Sequence, residues 1–348
     1  MIGPQGEPLT PHIRVEVERG KVSIVQQRPP VLSALVGTSV DAALRLVPTL
    51  LPVCGQAQGV AARRAVAAAA GRSGEPANVG RRLWREQALA AAWRCCVDWA
   101  DLLGEARGME ELSAIYRSQD DSTCAASLAG LVPGLGELHD LDQLLDWCRA
   151  GGCLPARVVR RALRCERPLG AARCVAGSEL TDIARQVFRS AAFDPLSPWP
   201  SALEVGPLAM ARDPLILELQ ENLGATIAAR FLAQVLDMRR ISTTLSSPSA
   251  DDRETNTWPA GDGTGIGRAI TARGPVYHRV SLQGEALDMV ADWRVLAPTD
   301  WHFSAHGPVL AGLSALEDPQ DMRLLVTAYD PCTAWSLHGD AGEGRDSA

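Results

Sequence analysis

Two cysteines near opposite ends of the chain stand in contexts suited to chemistry. Cys54 lies in Val53-Cys54-Gly55-Gln56-Ala57, at the start of a predicted helix. A thiol there feels the positive end of the helix dipole, which favours the thiolate. Cys332 lies in Asp330-Pro331-Cys332-Thr333-Ala334-Trp335-Ser336-Leu337-His338, where Pro331 fixes the backbone beside the thiol. Thiolates are soft ligands that suit iron or nickel. On residues alone, two single cysteines this far apart fit a packing role more readily than a shared metal.

The remaining cysteines offer less. The chain has nine, and no pair has the Cys-x-x-Cys spacing of a zinc or thioredoxin-like site. The group Cys148, Cys153, Cys165 and Cys174 matches no metal-ligand pattern. For acid–base work the best candidates are His278, in a strand pattern, and His302, after a turn. Both positions suit a structural histidine better than a catalytic one.

The elements that must position these residues are mostly helical. The alternation Ile13, Val15, Val17 against Arg14, Glu16, Glu18 predicts a strand, and Arg19-Gly20 turns it into a hairpin over His12 to Val25. Helices are expected over Ser33 to Arg72, broken at Pro52, and over Ala77 to Leu103. Shorter ones are expected at Glu110 to Arg117, Leu141 to Arg149, Ala156 to Leu163 and Glu179 to Ala191. Pro214 to Arg239 reads as one helix with the apolar stripe Ile216, Leu219, Leu223, Ile227, Phe231. Ser242 to Gly267 is polar and reads as a surface loop. Its alternating Gly261, Gly263, Gly265 and Gly267 do not form a dinucleotide-binding fingerprint. Val276 to Leu282 and Ala286 to Val290 predict a second hairpin. Ala297 to Trp301 predicts a turn, and Asp318-Pro319 a short helix followed by an extended piece up to Tyr329. The result is a mostly helical α+β domain over residues 1–338 with small hairpins towards each end, and a disordered polar tail over 339–348.

Composition narrows the function. The 348 residues are 46% hydrophobic with net charge -7 and no basic run, so neither nucleic acid nor a membrane surface is an expected partner. No uncharged apolar stretch reaches the length of about 18 residues that a membrane span requires, and no secretory signal is visible. A cytoplasmic location is the expectation.

Several motifs, in order along the chain, carry a resemblance. Asp330-Pro331-Cys332 with His338 resembles the C-terminal Asp-Pro-Cys-x-x-Cys-x-x-His motif of nickel–iron hydrogenase large subunits. Cys54-Gly55-Gln56-Ala57 resembles their N-terminal Cys-Gly-x-Cys. Arg14 to Val22 is similar to their first hairpin, and Val205-Gly206-Pro207-Leu208-Ala209 to an internal segment. Ala272-Arg273-Gly274 resembles Pro-Arg-Gly, with Ala272 departing from the proline, and Pro298-Thr299-Asp300-Trp301 resembles Pro-Thr-x-Trp. The matches span residues 12 to 338.

The resemblance implies a large-subunit-like fold and a depleted metal site. Each family motif supplies two cysteines, and here Ala57 and Trp335 stand where the second ones belong. Alanine offers no donor atom, and an indole would crowd the nickel position. Thr10 stands in place of a proton-transferring glutamate, Pro52 of an arginine, Ala61 of a histidine, and Val31 of a glutamate that shares a magnesium with the final histidine. Hydrogen activation is therefore not expected. The iron side survives: Cys54 and Cys332 as iron ligands, Arg273 at one cyanide, Pro298 and Thr299 at the other, and His338 as a retained metal-ligand position. This depleted pattern resembles hydrogenase assembly proteins of the HupK/HoxV type. It implies a non-enzymatic scaffold that transiently holds an Fe(CN)2CO unit, without nickel. Its partners would be maturation factors of the HypC/HypD type and the large-subunit precursor. The alternative is a metal-free chaperone that mimics the large subunit.

Overall fold

The structure is a computed structural model, described here for residues 11–72, 78–165, 169, 172–190, 192–211, 213–247, 256–339 and 344–345. Thr10 lies outside the described residues. The N-terminal hairpin forms as expected, with β1 (His12–Glu18) paired antiparallel to β2 (Lys21–Gln27). Arg19 and Gly20 both adopt positive φ, the backbone of a two-residue hairpin turn. Ile13 and Val15 are fully buried, as their alternation requires.

Helices α1 (Val40–Leu50) and α2 (Gly55–Ala69) follow, separated by a short 3-10 turn over Pro52–Cys54. Next come α3 (Val79–Trp93), a π-helical turn over Arg94–Asp98, and α4 (Trp99–Leu103). This continuous stretch matches the long helix expected from Ala77 to Leu103, although Ala77 lies outside the described residues. A run of short helices continues: α5 (Met109–Arg117), α6 (Asp121–Gly130), α7 (Leu141–Ala150) and α8 (Leu154–Ala162). Of these α6 was not anticipated; its start is an Asp120 cap on Thr123 N–H rather than an apolar period.

Strand β3 (Arg173–Cys174) precedes α9 (Gly177–Arg189) and pairs with β4 (Leu203–Glu204), which leads into α10 (Pro207–Met210). The single helix expected from Pro214 to Arg239 is two: α11 (Pro214–Leu223) and α12 (Ile227–Leu245). Gly224, at φ +64, ends α11, and Thr226 caps α12. Helix α12 is buried on nearly every side and forms the centre of the largest core.

The expected surface loop over Ser242 to Gly267 is largely wrong among the described residues. Helix α12 runs to Leu245, and β5 (Thr257–Gly261) and β6 (Thr264–Thr271) follow. With β7 (Gly274–Gln283) and β8 (Met289–Leu296) they make an antiparallel sheet in order β5-β6-β7-β8. The polar composition misled because these glycines serve contact. A Cβ on Gly265 would sit 2.2 Å from the Ala65 carbonyl oxygen, and one on Gly267 2.2 Å from that of Ala61. Helix α2, alanine-rich along the same face, lies directly on β6.

Helix α13 (Pro298–His302) replaces the expected turn, and α14 (Pro308–Leu313) follows. Helix α15 (Pro319–Tyr329) is helical throughout, where an extended piece was expected. Met322, Leu325 and Tyr329 lie on its core side at helical spacing. The chain ends with β9 (Ala334–Gly339) and β10 (Gly344–Arg345). Strand β9 adds parallel to β1, pairing Trp335 with Ile13, so the sheet order is β10-β9-β1-β2. This pairing joins the two ends of the chain. Of the tail expected over 339–348, Gly344–Arg345 pair with β9, and 340–343 and 346–348 lie outside the described residues. No described helix is long and apolar enough to cross a membrane.

Candidate metal centre

Cys54 occupies the N-cap position of α2. Helix α1 crosses α2 closely here, because a Cβ on Gly55 would lie 3.0 Å from the Pro48 carbonyl oxygen. The helix N-terminus is already engaged. Glu86, from α3, accepts from Gln56 N–H at 2.7 Å and Ala57 N–H at 2.9 Å. Burial dominates the thiol and pushes it up to about 12, while the Arg273 guanidinium pulls it down. Cys332, Glu86 and Asp330 add to the rise. The expected thiolate-favouring effect of the helix dipole is thus overturned: desolvation outweighs it, and a carboxylate sits on the helix end.

Cys332 follows α15 through Asp330, which is held in the left-handed region at φ 48. Asp330 anchors two arginines. Its side chain accepts from Arg273 Nη2 at 3.0 Å and from Arg94 Nη1 at 2.9 Å. Its carbonyl accepts from Arg273 Nε at 2.9 Å. Cys332 N–H donates to Thr299 Oγ1 at 3.1 Å, and the Thr299 hydroxyl donates to Cys332 Sγ at 3.1 Å. The two partners therefore lock each other, although 33 residues separate them.

The remaining motif residues are the walls. Gly274 has φ +128, and a Cβ there would lie 2.5 Å from the Val205 carbonyl oxygen and 3.2 Å from Pro298 Cγ. This close approach packs the Arg273-Gly274 turn between the Val205–Pro207 segment and α13. Behind it Glu204 accepts from Arg230 Nη2 at 2.8 Å and from the Tyr329 hydroxyl at 2.9 Å, all three buried. That network ties β4, α12 and α15 together one residue before Asp330. Arg28 pairs with the buried Asp300 of α13, and Gln26 Nε2 donates to Phe303 O at 2.8 Å, which docks the N-terminal hairpin on the same turn.

A cavity of about 550 Å³ opens onto this cluster. Cys332, Arg273, Asp330, Trp335, Glu86 and Asp98 are among its walls. Burial opposes the charge on Arg273, but Asp330 and, when deprotonated, the Cys54 and Cys332 sulfurs raise its proton affinity. The structure thus brings together Cys54, Cys332, Arg273, Pro298 and Thr299. It places His338 elsewhere. Its Nε2 lies 2.8 Å from Ser336 Oγ, which is 2.8 Å from His12 Nε2. Alternation along β9 puts Ser336 and His338 on the face opposite Trp335.

Three residues at the site were missed: Glu86, Arg94 and Asp98. Arg94 and Asp98 lie at i and i+4 in an otherwise apolar run, a faint signal of a buried polar face. Burial, helped by Asp330, pushes Asp98 up to about 7 against the pull of Arg273 and Arg94. Among the described residues no group of three or more His, Cys, Asp or Glu side chains is arranged to hold a metal ion.

His278 and His302 are structural. His278 lies between Gln58 Oε1 at 2.6 Å and the donating Trp293 Nε1 at 3.0 Å. Burial lowers it to about 3, and His302, whose Nε2 accepts from Val205 N–H at 3.1 Å, to about 4. A histidine that stays neutral in the fold costs stability as pH falls, because the unfolded chain takes up the proton below about 6.5. Wild type is therefore expected to lose its advantage over His278→Gln on acidification. The gap should narrow by about 2 kcal/mol between pH 6.5 and 4.5, read by urea unfolding of both proteins. A constant gap would show that His278 is protonated in the folded state.

Comparison with known proteins follows the geometry. The chain is 30% identical to the hydrogenase expression/formation protein HupK of Azotobacter vinelandii, over 94% of this chain and 97% of that protein. It is 29% identical to HupK of Bradyrhizobium diazoefficiens, covering 90% of each. It is 27% identical to HoxV of Cupriavidus necator, over 93% of this chain and 94% of that protein. No family profile matches the chain. Among solved structures, it superposes on an NAD+-reducing nickel–iron hydrogenase with TM-score 0.56 at 13% identity, over 90% of this chain and 91% of that one. On the Ni-Fe-Se hydrogenase of D. vulgaris Hildenborough the TM-score is 0.54 at 14% identity, over 91% and 94%. These likenesses show a hydrogenase large-subunit fold.

Proposed function

The chain belongs to the family of hydrogenase expression/formation proteins that includes HupK and HoxV, and on that premise we propose that it is a maturation scaffold. It takes an Fe(CN)2CO unit as cargo from factors of the HypC/HypD type and passes it to a hydrogenase large-subunit precursor. It does not activate hydrogen itself. The observation that carries this reading is the convergence of Cys54, Cys332 and Arg273 from segments more than 50 residues apart.

The donor set suits such a cargo. An iron that brings its own cyanides and carbonyl needs few protein ligands, and two soft thiolates can grip it. Arg273 spends Nε and Nη2 on Asp330 and keeps Nη1 for an anionic ligand. Thr299 can turn its hydroxyl from sulfur to a cyanide, and Pro298 shapes the wall beside it. Ala57 supplies no donor, and Trp335 presents an indole beside Cys332. Both features favour release over permanent capture. His338, held by Ser336 on the other face of β9, takes no part.

The metal-free chaperone reading draws support from the high-lying Cys54 thiol, which stays protonated at neutral pH. Anaerobic purification from cells making the cyanide-forming factors separates the two. The scaffold reading expects close to one iron per chain and infrared stretches of both cyanide and carbonyl. Iron-free protein that still binds the large-subunit precursor would replace it with the chaperone reading.

A further inference from the structure

Arg94 is a buried charge that the fold alone does not explain. It opens the π-helical turn between α3 and α4, a distortion that recurs at functional sites. It is 1% exposed, and among the described residues its side chain makes one hydrogen bond, from Nη1 to Asp330 Oδ2 at 2.9 Å. Its Nε and Nη2 are buried without a partner. A guanidinium stays charged, so most donors of a buried cation are unmet, which costs stability. Asp330 does not require it, because Arg273 already pairs with that carboxylate through Nη2 at 3.0 Å.

Charge at the cavity supplies a reason. Arg273 and Asp330 are walls of the cavity, and Arg94 reaches Asp330 from outside that wall. Arg273 and Asp330 alone would be a neutral pair. With Arg94 the three carry one net positive charge. The other wall carboxylates offset little of it. Glu86 holds two N–H groups at the positive end of α2, and Asp101 pairs with Arg107. Asp98, pushed up to about 7, is charged only part of the time at neutral pH.

We propose that Arg94 is a positioning residue for the cargo: it neutralises Asp330 from the buried side and leaves the positive charge of Arg273 for an anionic, cyanide-type ligand in the cavity. The cavity thereby favours an anionic metal complex over a bare divalent cation. The proposal rests on the cavity's taking a cyanide-bearing cargo, and the two fail separately, because its test needs no iron.

The thiocyanate ion is the probe. It is anionic, ends in a nitrile nitrogen and leaves thiols intact. Its C–N stretch is followed by infrared spectroscopy in the full chain purified without iron. Wild type is expected to give a shifted band that saturates and that Arg273→Met removes, which places the ion at this site. Arg94→Met should move the band and weaken binding by about tenfold or more, and Arg94→Lys, which keeps the charge, should bind within about threefold of wild type. A role in packing alone would not make affinity follow charge. Should Arg94→Met fail to fold, Arg94→Lys still decides, since loss of binding there overturns the proposal. Absence of a saturable band in wild type, or equal affinity in wild type and Arg94→Met, overturns it as well.

Discussion

Cys54→Ala and Cys332→Ala are each expected to abolish the cyanide and carbonyl bands of the anaerobically purified protein while leaving its helical circular dichroism intact. The argument is one of chelation. Two thiolates on one rigid frame bind as a unit, and removing either leaves a single bond with no partner at high effective concentration. Such linkage contributes about 10²–10⁴-fold in affinity, so retention through purification should fall by about a hundredfold or more. The fold should tolerate both changes. Cys54 sits among small apolar neighbours such as Ala57, Val60 and Ala61, where it behaves as a small hydrophobe, and Cys332 is only half-buried. Persistence of both bands in Cys54→Ala would remove that residue from the site and, with it, the reading that the two motifs act together.

Gly267→Ala is expected to be the most damaging single change at a residue with no chemistry of its own. The added methyl would lie 2.2 Å from Ala61 O and 2.4 Å from Ala65 N, both backbone atoms of α2. Backbone cannot rotate away as a side chain can, so α2 must lift from β6. Overpacking of this kind costs about 1–3 kcal/mol, and more where backbone is the obstacle. A loss of about 3 kcal/mol or more in urea unfolding is the expected result. Gly152→Ala, with nothing within 4 Å, serves as the control and should be near neutral. Because α2 carries Cys54 at its start, Gly267→Ala should also lower iron retention. Unchanged stability would mean that α2 does not lie on β6 as described.

The same contact shows why part of the fold escaped the sequence. Strands β1 and β2 were legible because their alternation is local, as was the long helix ending near Leu103. Gly265 and Gly267 read as loop residues because nothing within a few positions reveals a helix about 200 residues earlier pressing on them. Helix α15 was read as partly extended because its buried face is defined by α12, α14 and α4 rather than by its own polarity.

Residue type and order alone determined the family likeness, the two surviving cysteines, the arginine and Pro-Thr positions, and the loss of a donor at Ala57 and Trp335. These are properties of composition at a position, and no packing alters them. Tertiary structure alone decided what state those residues are in. Burial, not the helix dipole, sets the Cys54 thiol. Asp330 aims Arg273, Thr299 holds Cys332, and the pairing of β9 with β1 sets His338 beside Ser336 on the face opposite Trp335. Proton affinity and hydrogen-bond direction depend on groups brought close by folding from distant parts of the chain, and a local pattern cannot register them.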